Sequence, residues 1–301
     1  MIQKLIGVCT FPQRVKIVSR LQTDIPGIAR NKQGTHSLQT LITLFSTDEE
    51  YQIVCNSIKN SFLILAQHPN ATHFLQKVIS LFPINHTSCF METVAEDFLS
   101  YAQDKHGMCV IKIMMKRISE LESSSKEGIL YDIRKRFTHT VIFNIDTLIG
   151  DPYGNYIIQF CFDFFGEDKC EAITERIMNK FLPFSLQKYS NAVICKCVTT
   201  YWTNKATLDR LRNALTNEII HEMFRNKDSN KILLEIVERN EGSALREKIV
   251  MSVINELTKF NHDRWGVTLG SRSGMVGTQL TSFPDPVKKG SRKKKNYNNL
   301  H

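Results

Sequence analysis

A nine-residue pattern recurs along almost the whole chain at a spacing close to 36 residues. Its clearest copy is DPYGNYIIQ at 151–159. Degenerate copies read QGTHSLQ at 33–39, NATHFLQ at 70–76, HGMCVIK at 106–112, YSNAVIC at 189–195 and DSNKILL at 228–234, and a half-copy, IQKL, stands at 2–5. The final position of the pattern falls at residues 3, 39, 76, 112, 159, 195 and 234, at intervals of 36, 37, 36, 47, 36 and 39. A period of this length predicts a solenoid, in which each unit packs on its neighbours.

The apolar residues around these copies follow a helical spacing. In segments 15–21 and 74–82, apolar side chains recur every three or four residues, which places them on one face of a helix. Alternating β-branched runs joined by tight Asn-Gly turns are absent from the sequence, which argues against a sheet protein. We therefore expect an all-α, curved solenoid whose repeat contains a short lead-in helix, a motif helix and a longer third helix.

Each full copy contains a small residue, such as Gly154 in the clearest copy, and we number the motif positions from the residue that follows it. Positions one, two and five vary and include polar and aromatic residues, whereas positions three and four are mostly apolar. On a helix, positions one and five lie one above the other, and position two is about 100° away. In the clearest copy, Asn155 and Gln159 can offer amide donors and acceptors to the edge of a flat base. Tyr156 can lie against the face of that base.

The same residues carry a family resemblance. The pattern resembles the second helix of a Pumilio-type RNA-binding repeat, and Asn155, Tyr156 and Gln159 match the family's uracil-reading triplet. Segment 187–199 is similar to the family's seventh repeat. The resemblance covers about residues 1–275. It implies a right-handed α-solenoid of three-helix repeats that read RNA one base per repeat.

The candidate RNA-binding residues are those at positions one, two and five of every copy. They are Gln3, Thr35, His36, Gln39, Thr72, His73, Gln76, Met108, Cys109, Lys112, Asn155, Tyr156, Gln159, Asn191, Ala192, Cys195, Asn230, Lys231 and Leu234. His36, His73 and Tyr156 stand at position two, where we expect stacking on a base. As a structural alternative, a polar and aromatic turn of this kind can be a solvated helix face.

The resemblance assigns bases to only some of the copies. Asn155 with Gln159 implies uracil. Two copies resemble the pair of a small residue and Gln that reads adenine: Thr35 with Gln39, and Thr72 with Gln76. The pairs in the other three full copies match no known pair. In members of the family, the seventh repeat usually carries Ser and Glu, which read guanine. Cys195 stands in place of the Glu and cannot replace its carboxylate. We therefore expect a degenerate reader.

The chain divides into a long repeat region and a short tail. We expect a Pumilio-type domain at 1–275, with a partial first repeat, about six full repeats and a C-terminal capping half-repeat around 263–271. Residues 276–301 are predicted to be a disordered basic tail. The sequence opens inside a motif helix, so we expect a truncated repeat array whose Leu5, Ile6 and Val8 are partly uncovered. The 47-residue interval predicts a solvated loop near 120–128.

Charge and cysteine content constrain the class of protein less than the repeats do. The net charge is +9, but six basic residues at 288–295 leave only +3 for the rest. The eight cysteines are scattered and predict buried, reduced thiols of an intracellular protein, with Cys9, Cys109, Cys161 and Cys195 in apolar helical stretches. We expect no metal, no cofactor, no membrane span and no secretory signal.

The expected function is sequence-selective binding of single-stranded RNA. By resemblance this implies recognition of mRNA 3′ untranslated regions in translation repression or mRNA decay, in the cytoplasm, with regulatory proteins on the convex face. Two alternatives stay open: nuclear or nucleolar RNA binding in ribosome assembly, which the basic tail favours, and a helical protein-binding scaffold without base readout. No phosphate-binding loop or nucleophile–histidine motif is recognisable, so we do not expect an enzyme.

Overall fold

The computed structural model describes residues 2–121, 128–200, 204–239 and 243–259, and all regular elements within them are helical. In chain order they are α1 Ile2–Gly7, α2 Phe11–Leu21, α3 Ile25–Arg30, α4 Gly34–Ile42, α5 Asp48–Ile58, α6 Phe62–Ala66, α7 Ala71–Leu81, α8 Ile84–Glu96, α9 Phe98–Ala102, α10 Gly107–Leu121, α11 Ile129–Phe143, α12 Ile145–Leu148, α13 Gly154–Phe164, α14 Glu167–Asn179, α15 Phe181–Ser185, α16 Ser190–Thr200, α17 Lys205–Ala214, α18 Asn217–Arg225, α19 Asn230–Arg239 and α20 Ala244–Lys259. A 3-10 turn at Lys59–Ser61 joins α5 to α6.

These helices form six units of three. Units 1 to 6 are α3–α5, α6–α8, α9–α11, α12–α14, α15–α17 and α18–α20. Each has the predicted lead-in, motif and third helix. The pair α1 and α2 precedes them and corresponds to a motif helix and a third helix. The prediction of an all-α repeat with three helices is therefore confirmed.

The units stack so that equivalent helices form two rows. Successive motif helices touch one another along the series α1, α4, α7, α10, α13, α16 and α19. The third helices form a second series of contacts through α2, α5, α8, α11, α14 and α17. Because each helix touches its equivalent in the next unit, the variable positions of the motif helices lie along a single row.

The small residue at the start of each motif helix packs against the backbone of its own lead-in helix. A Cβ atom added to Gly107 would lie 2.5 Å from the carbonyl oxygen of Tyr101, and one added to Gly34 would lie 2.5 Å from that of Ile28. Ser229 donates its hydroxyl to the equivalent carbonyl, that of Met223, at 2.9 Å. Close approach of the two helices therefore explains the glycines that the sequence places at this position.

A continuous apolar core fills the space between the two rows from Ile6 to Val253. Aromatic pairs join lead-in helices to third helices within single units. Phe62 and Phe90 stack with ring centroids 4.6 Å apart in unit 2. In unit 3, Phe98 meets Phe137 edge to face at 5.4 Å. Such pairs add stability beyond the burial of their surface.

A buried ion pair joins α2 to unit 1. The guanidinium of Arg14 donates to the carboxylate of Glu50 at 2.8 Å, and the Glu50 side chain is fully buried. Burial raises the pKa of Glu50, but hydrogen bonds from Arg14, the Ser46 backbone and Thr47 together hold that pKa below its usual value. Glu50 is therefore ionised at neutral pH, and it also caps the start of α5 together with Thr47.

Three further expectations have different outcomes. At the first helix, Leu5 and Val8 are 58% and 78% exposed as predicted, but the prediction for Ile6 is wrong, because Ile6 is buried in the core that α1 shares with α4. In the 47-residue interval, α10 continues to Leu121 and so takes up the start of the predicted loop. The rest of that loop at 122–127, the capping half-repeat around 263–271 and the tail at 276–301 lie outside the described residues.

The close approach at the motif helix predicts unequal effects of two glycine substitutions. Gly107→Ala should lower the free energy of unfolding by about 1–3 kcal/mol, because the new Cβ meets a backbone carbonyl that cannot move alone. Gly27→Ala, where no atom lies within 4 Å of the added Cβ, should leave it unchanged or raise it by up to about 1 kcal/mol. Urea unfolding followed by circular dichroism measures both. Equal effects would contradict the packing argument.

Candidate functional site

A side-chain acceptor three residues before the small residue organises the start of most motif helices. Asp104 accepts from the backbone N–H groups of His106 and Gly107, both at 2.8 Å. Asn31, Asp151 and Asn226 make the equivalent pairs of bonds. In unit 2 the ring nitrogen Nδ1 of His68 takes this place. Sequence reasoning missed these residues, although the Asn or Asp at a constant offset is a turn signal.

The position-one side chains of units 1, 2, 4 and 6 are buried, which the sequence did not predict. Thr35 is 3% exposed, and its hydroxyl donates to the carbonyl of Asn70 in the next unit at 3.1 Å. Thr72 is 1% exposed and donates to the carbonyl of His106 at 3.3 Å. In both cases the acceptor immediately precedes the small residue of the following unit. Position one therefore links neighbouring units.

The other position-one residues fall into different environments. Asn191 repeats the link, since its Nδ2 donates to the carbonyl of Asp228 at 3.2 Å. Asn155 is buried and donates from Nδ2 within its own turn, to the carbonyls of Asp151 at 2.8 Å and Pro152 at 3.1 Å. The expectation that Asn155 offers its amide outward needs correction, because both amide hydrogens are bonded inside the unit. Met108 is half-buried and Asn230 is buried.

The position-two side chains point to solvent in almost every unit. This group contains His36, His73, Tyr156, Ala192 and Lys231, all exposed, and Cys109, which is half-buried. Tyr156 is 45% exposed. Its ring lies 6.5 Å from that of Phe160 at an angle of 26°. An exposed ring supported by a second ring is a platform on which a flat ligand can stack.

The position-five side chains lie between these two environments. Gln39, Gln76 and Gln159 are half-buried and donate from Nε2 to the position-one oxygens of Thr35, Thr72 and Asn155, at 3.2, 3.2 and 3.0 Å. Cys195 and Leu234 are also half-buried, whereas Gln3 is exposed. Lys112 is exposed, and its ammonium lies 5.1 Å from the centre of the Phe160 ring in the next unit.

The two thiols in the row are not ionised at neutral pH. Burial raises the pKa of Cys195 to about 11, with a further contribution from Glu235. Burial also raises the pKa of Cys109, which donates its thiol to the carbonyl of Lys105 at 3.5 Å. A neutral thiol cannot supply the negative charge of a carboxylate, so unit 5 has no anionic acceptor at position five.

The eight cysteines are reduced thiols, and their burial is uneven. Cys161 is buried as predicted. The prediction is wrong for Cys9, Cys109 and Cys195, which are only partly buried, and Cys9 lies between α1 and α2 rather than in a helix. Within the described ranges, no group of His, Cys, Asp and Glu could hold a metal ion. None of the described helices is long and apolar enough to cross a bilayer.

The geometry defines an α-solenoid that presents one trio of side chains per unit along a single row. In units 1, 2, 4 and 6 position one is buried, position two is exposed and position five is half-buried, whereas position one is half-buried in units 3 and 5. Comparison with known proteins agrees with this arrangement. The model of the Pumilio-family RNA binding repeat matches residues 1–21, 61–92 and 144–178.

Curated relatives match most of this chain. The Pumilio domain-containing protein C6G9.14 of Schizosaccharomyces pombe is 24% identical over 77% of this chain and 32% of its own length. Pumilio homolog 12 of Arabidopsis thaliana is 26% identical over 73% of this chain and 35% of its own. The chain thus spans about a third of the length of these relatives.

Solved structures share the fold. The Puf4 RNA binding domain bound to the HO endonuclease RNA 3′ UTR recognition sequence superposes with a TM-score of 0.78 at 22% identity, covering 90% of this chain and 83% of that one. The RNA-binding domain of yeast Puf5p bound to SMX2 RNA gives 0.73 at 17% identity, covering 90% and 81%. The predicted curved, right-handed solenoid is thereby confirmed. The chain is thus similar to Pumilio-family RNA-binding repeat proteins in sequence and in fold.

The capping bonds at the motif helices predict a matched pair of effects at Asp104. Asp104→Ala should lower the free energy of unfolding by about 1 kcal/mol, because two backbone N–H groups lose their acceptor. Asp104→Asn retains an acceptor oxygen and should keep most of the stability. Thermal and urea unfolding of the two variants measure the difference. If Asn is as destabilising as Ala, the bonds do not stabilise the helix start.

Proposed function

We propose that this protein binds single-stranded RNA selectively by sequence, through the row of motif helices. The observation that carries the proposal is the constant register of the row. In five of the six units an exposed side chain at position two stands beside a half-buried side chain at position five. A ligand suited to this row has flat groups at the repeat spacing, and each group offers a face for stacking and an edge for hydrogen bonds.

Unpaired RNA has these properties. Bases in a duplex hide their Watson–Crick edges, whereas bases of a single strand can be splayed out and read by side chains. Stacking on an aromatic side chain contributes roughly 1–3 kcal/mol per base. Tyr156, His36 and His73 are exposed at position two. The amides of Gln39, Gln76 and Gln159 retain a carboxamide oxygen and one N–H beyond the bond each makes to position one.

The family resemblance orders the bases. With the RNA strand antiparallel to the protein, the readable part is uracil at unit 4, an undecided base at unit 3, adenine at unit 2 and adenine at unit 1, written 5′ to 3′. Unit 3 is undecided because Met108 has no strong hydrogen-bonding group and Lys112 offers only donors. Selectivity then rests mainly on units 1, 2 and 4.

The biological setting is proposed from the relatives. The Puf4 structure contains a 3′ UTR recognition sequence. We therefore infer that this protein recognises mRNA 3′ untranslated regions in the cytoplasm, in translation repression or mRNA decay, and binds regulatory proteins on its convex face. The protein is inferred to act by binding rather than by catalysis.

A second candidate function is a helical scaffold that binds proteins without reading bases. The trios of units 5 and 6 favour it, since Ala192 with Cys195, and Lys231 with Leu234, offer neither aromatic stacking nor an amide. Selection of bound RNAs from a random pool separates the candidates. Enrichment of a U-x-A-A core is the expected result, and a pool without enrichment would favour the scaffold.

Removal of one stacking ring should weaken RNA binding without changing base preference. Tyr156→Ala should reduce affinity by roughly 1–3 kcal/mol on U-x-A-A RNA, because the exposed platform over Phe160 is lost. Phe143→Ala is the control, since Phe143 is a 79% exposed aromatic residue at the end of a third helix. Fluorescence anisotropy titrations measure both. An equal loss in the two variants would contradict stacking at Tyr156.

Exchange of the unit 4 pair should redirect its preference towards guanine. In the double variant Asn155→Ser with Gln159→Glu, the new carboxylate accepts from the N1–H and N2–H of guanine, where uracil offers only N3–H. The Asn155 substitution is needed because its Oδ1 now receives the Gln159 amide and would repel a carboxylate. Titrations use four RNAs that differ only at this base. Equal losses on all four would show that unit 4 does not read the base edge.

A further inference from the structure

The two Thr-Gln pairs differ from the rest of the row in how their hydrogen bonds are connected. In units 1 and 2 the position-five amide, the position-one hydroxyl and a carbonyl of the next unit form one chain of hydrogen bonds. In unit 2 it runs from Gln76 Nε2 to Thr72 Oγ1 at 3.2 Å and from Thr72 Oγ1 to the His106 carbonyl at 3.3 Å. In unit 1 the corresponding distances are 3.2 and 3.1 Å, through Thr35 to the Asn70 carbonyl.

The chemistry of a hydroxyl gives this chain a single direction. A threonine hydroxyl has one hydrogen, and a carbonyl oxygen can only accept. Once the Thr72 hydrogen is donated to the carbonyl, Oγ1 has only lone pairs left for Gln76. The amide of Gln76 must therefore turn Nε2 towards Thr72 and Oε1 away from it. Thr72 is 1% exposed, so water does not compete readily for either bond.

We propose that Thr35 and Thr72 are positioning residues that set base preference through the backbone of the following unit. This inference rests on the proposed function. Each threonine fixes the order in which its glutamine presents an acceptor and a donor to the base. Neither threonine needs to touch the RNA. The carbonyl that orients the amide of unit 2 belongs to unit 3, and the one that orients the amide of unit 1 belongs to unit 2.

A fixed order matters because the Watson–Crick edges of adenine and guanine present opposite orders. Adenine presents an amino donor beside a ring-nitrogen acceptor, whereas guanine presents a carbonyl acceptor beside a ring N–H donor. For a given strand direction, an amide held in one orientation fits one of these two bases, whereas an amide free to turn by 180° fits both. Uracil carries its N–H between two carbonyls and accepts either order. Locking Gln39 and Gln76 therefore discriminates adenine from guanine, in agreement with adenine at units 1 and 2.

In unit 4 the amide is held from within the unit. Asn155 donates from Nδ2 to two carbonyls of its own turn, so its Oδ1 faces Gln159 and accepts from Gln159 Nε2. Gln159 therefore presents the same order as Gln76, but these bonds involve no group of unit 5. The edge of uracil, which carries its N–H between two carbonyls, fits this order as well.

The experiment compares Thr72→Val, which keeps the shape and removes the hydroxyl, with Thr72→Ser, which keeps the hydroxyl. Each is titrated with four U-x-A-A RNAs that differ only at the base facing unit 2. The wild type and Thr72→Ser should prefer adenine over guanine, and Thr72→Val should lose roughly tenfold of this ratio, the value of one hydrogen bond of ordinary strength. An unchanged ratio in Thr72→Val, or an equal loss in Thr72→Ser, would overturn the proposal.

Thr138→Val controls for the loss of a buried hydroxyl. Thr138 is 8% exposed on the third helix α11, and its hydroxyl donates to the Arg134 carbonyl of the same helix at 3.0 Å. This variant should lose stability to a similar degree but keep the base ratio of the wild type. A shift of the ratio in Thr138→Val would mean that destabilisation alone relaxes selectivity, and would also overturn the proposal.

A measurement without RNA separates this inference from the proposed function. Side-chain amide ¹⁵N relaxation should show Gln76 and Gln39 ordered in the wild type, with Gln76 as mobile in Thr72→Val as the exposed Gln22. If the amides are ordered but the protein fails to bind U-x-A-A RNA, the lock exists but does not serve to read RNA, and the inference is rejected. If the amides are mobile in a wild-type protein that still distinguishes the four RNAs by affinity, the lock is rejected and the proposed function still holds.

Discussion

In units 1, 3, 4, 5 and 6 the start of the motif helix lies against the carbonyl that is six residues earlier in the chain, and the geometry of the unit depends on this contact. Where the residue is Gly107, only the missing Cβ allows the approach, and where it is Ser229, the hydroxyl bonds to the carbonyl instead. The capping acceptor three residues before it, such as Asp104, holds the same turn from the other side. Together they fix the direction of the motif helix, and equivalent positions have the same exposure in units 1, 2, 4 and 6.

Stacking of the units and presentation of the row are coupled through position one. The hydroxyls of Thr35 and Thr72 and the amide of Asn191 all end on a backbone carbonyl of the next unit. In a solenoid, stability is approximately a sum of unit and interface contributions. A substitution at position one therefore changes an interface as well as a candidate reader, which limits how freely such a residue can be exchanged.

The row is chemically uneven, and the unevenness has a pattern. Units 1, 2 and 4 carry glutamine at position five together with an aromatic or imidazole ring at position two, whereas units 5 and 6 carry neither. Unit 3 is intermediate, because Lys112 is held over the Phe160 ring of unit 4. Under the proposed function, the units with glutamine supply selectivity. A lysine beside them adds attraction for phosphate that depends on salt concentration rather than on sequence.

The repeat length, the three helices of each unit and the trio at positions one, two and five were all predictable from the sequence, since they depend on periodicity and on spacing within one helix. The connection of Gln76 through Thr72 to His106 was not, because the accepting carbonyl belongs to another unit and carries no sequence signature. For the same reason the burial of Asn155 and of Ile6 appeared only in the structure. The sequence by itself determined which side chains occur at the repeat spacing. The tertiary structure decided which of their donors and acceptors remain available, because neighbouring backbone groups bond to the others.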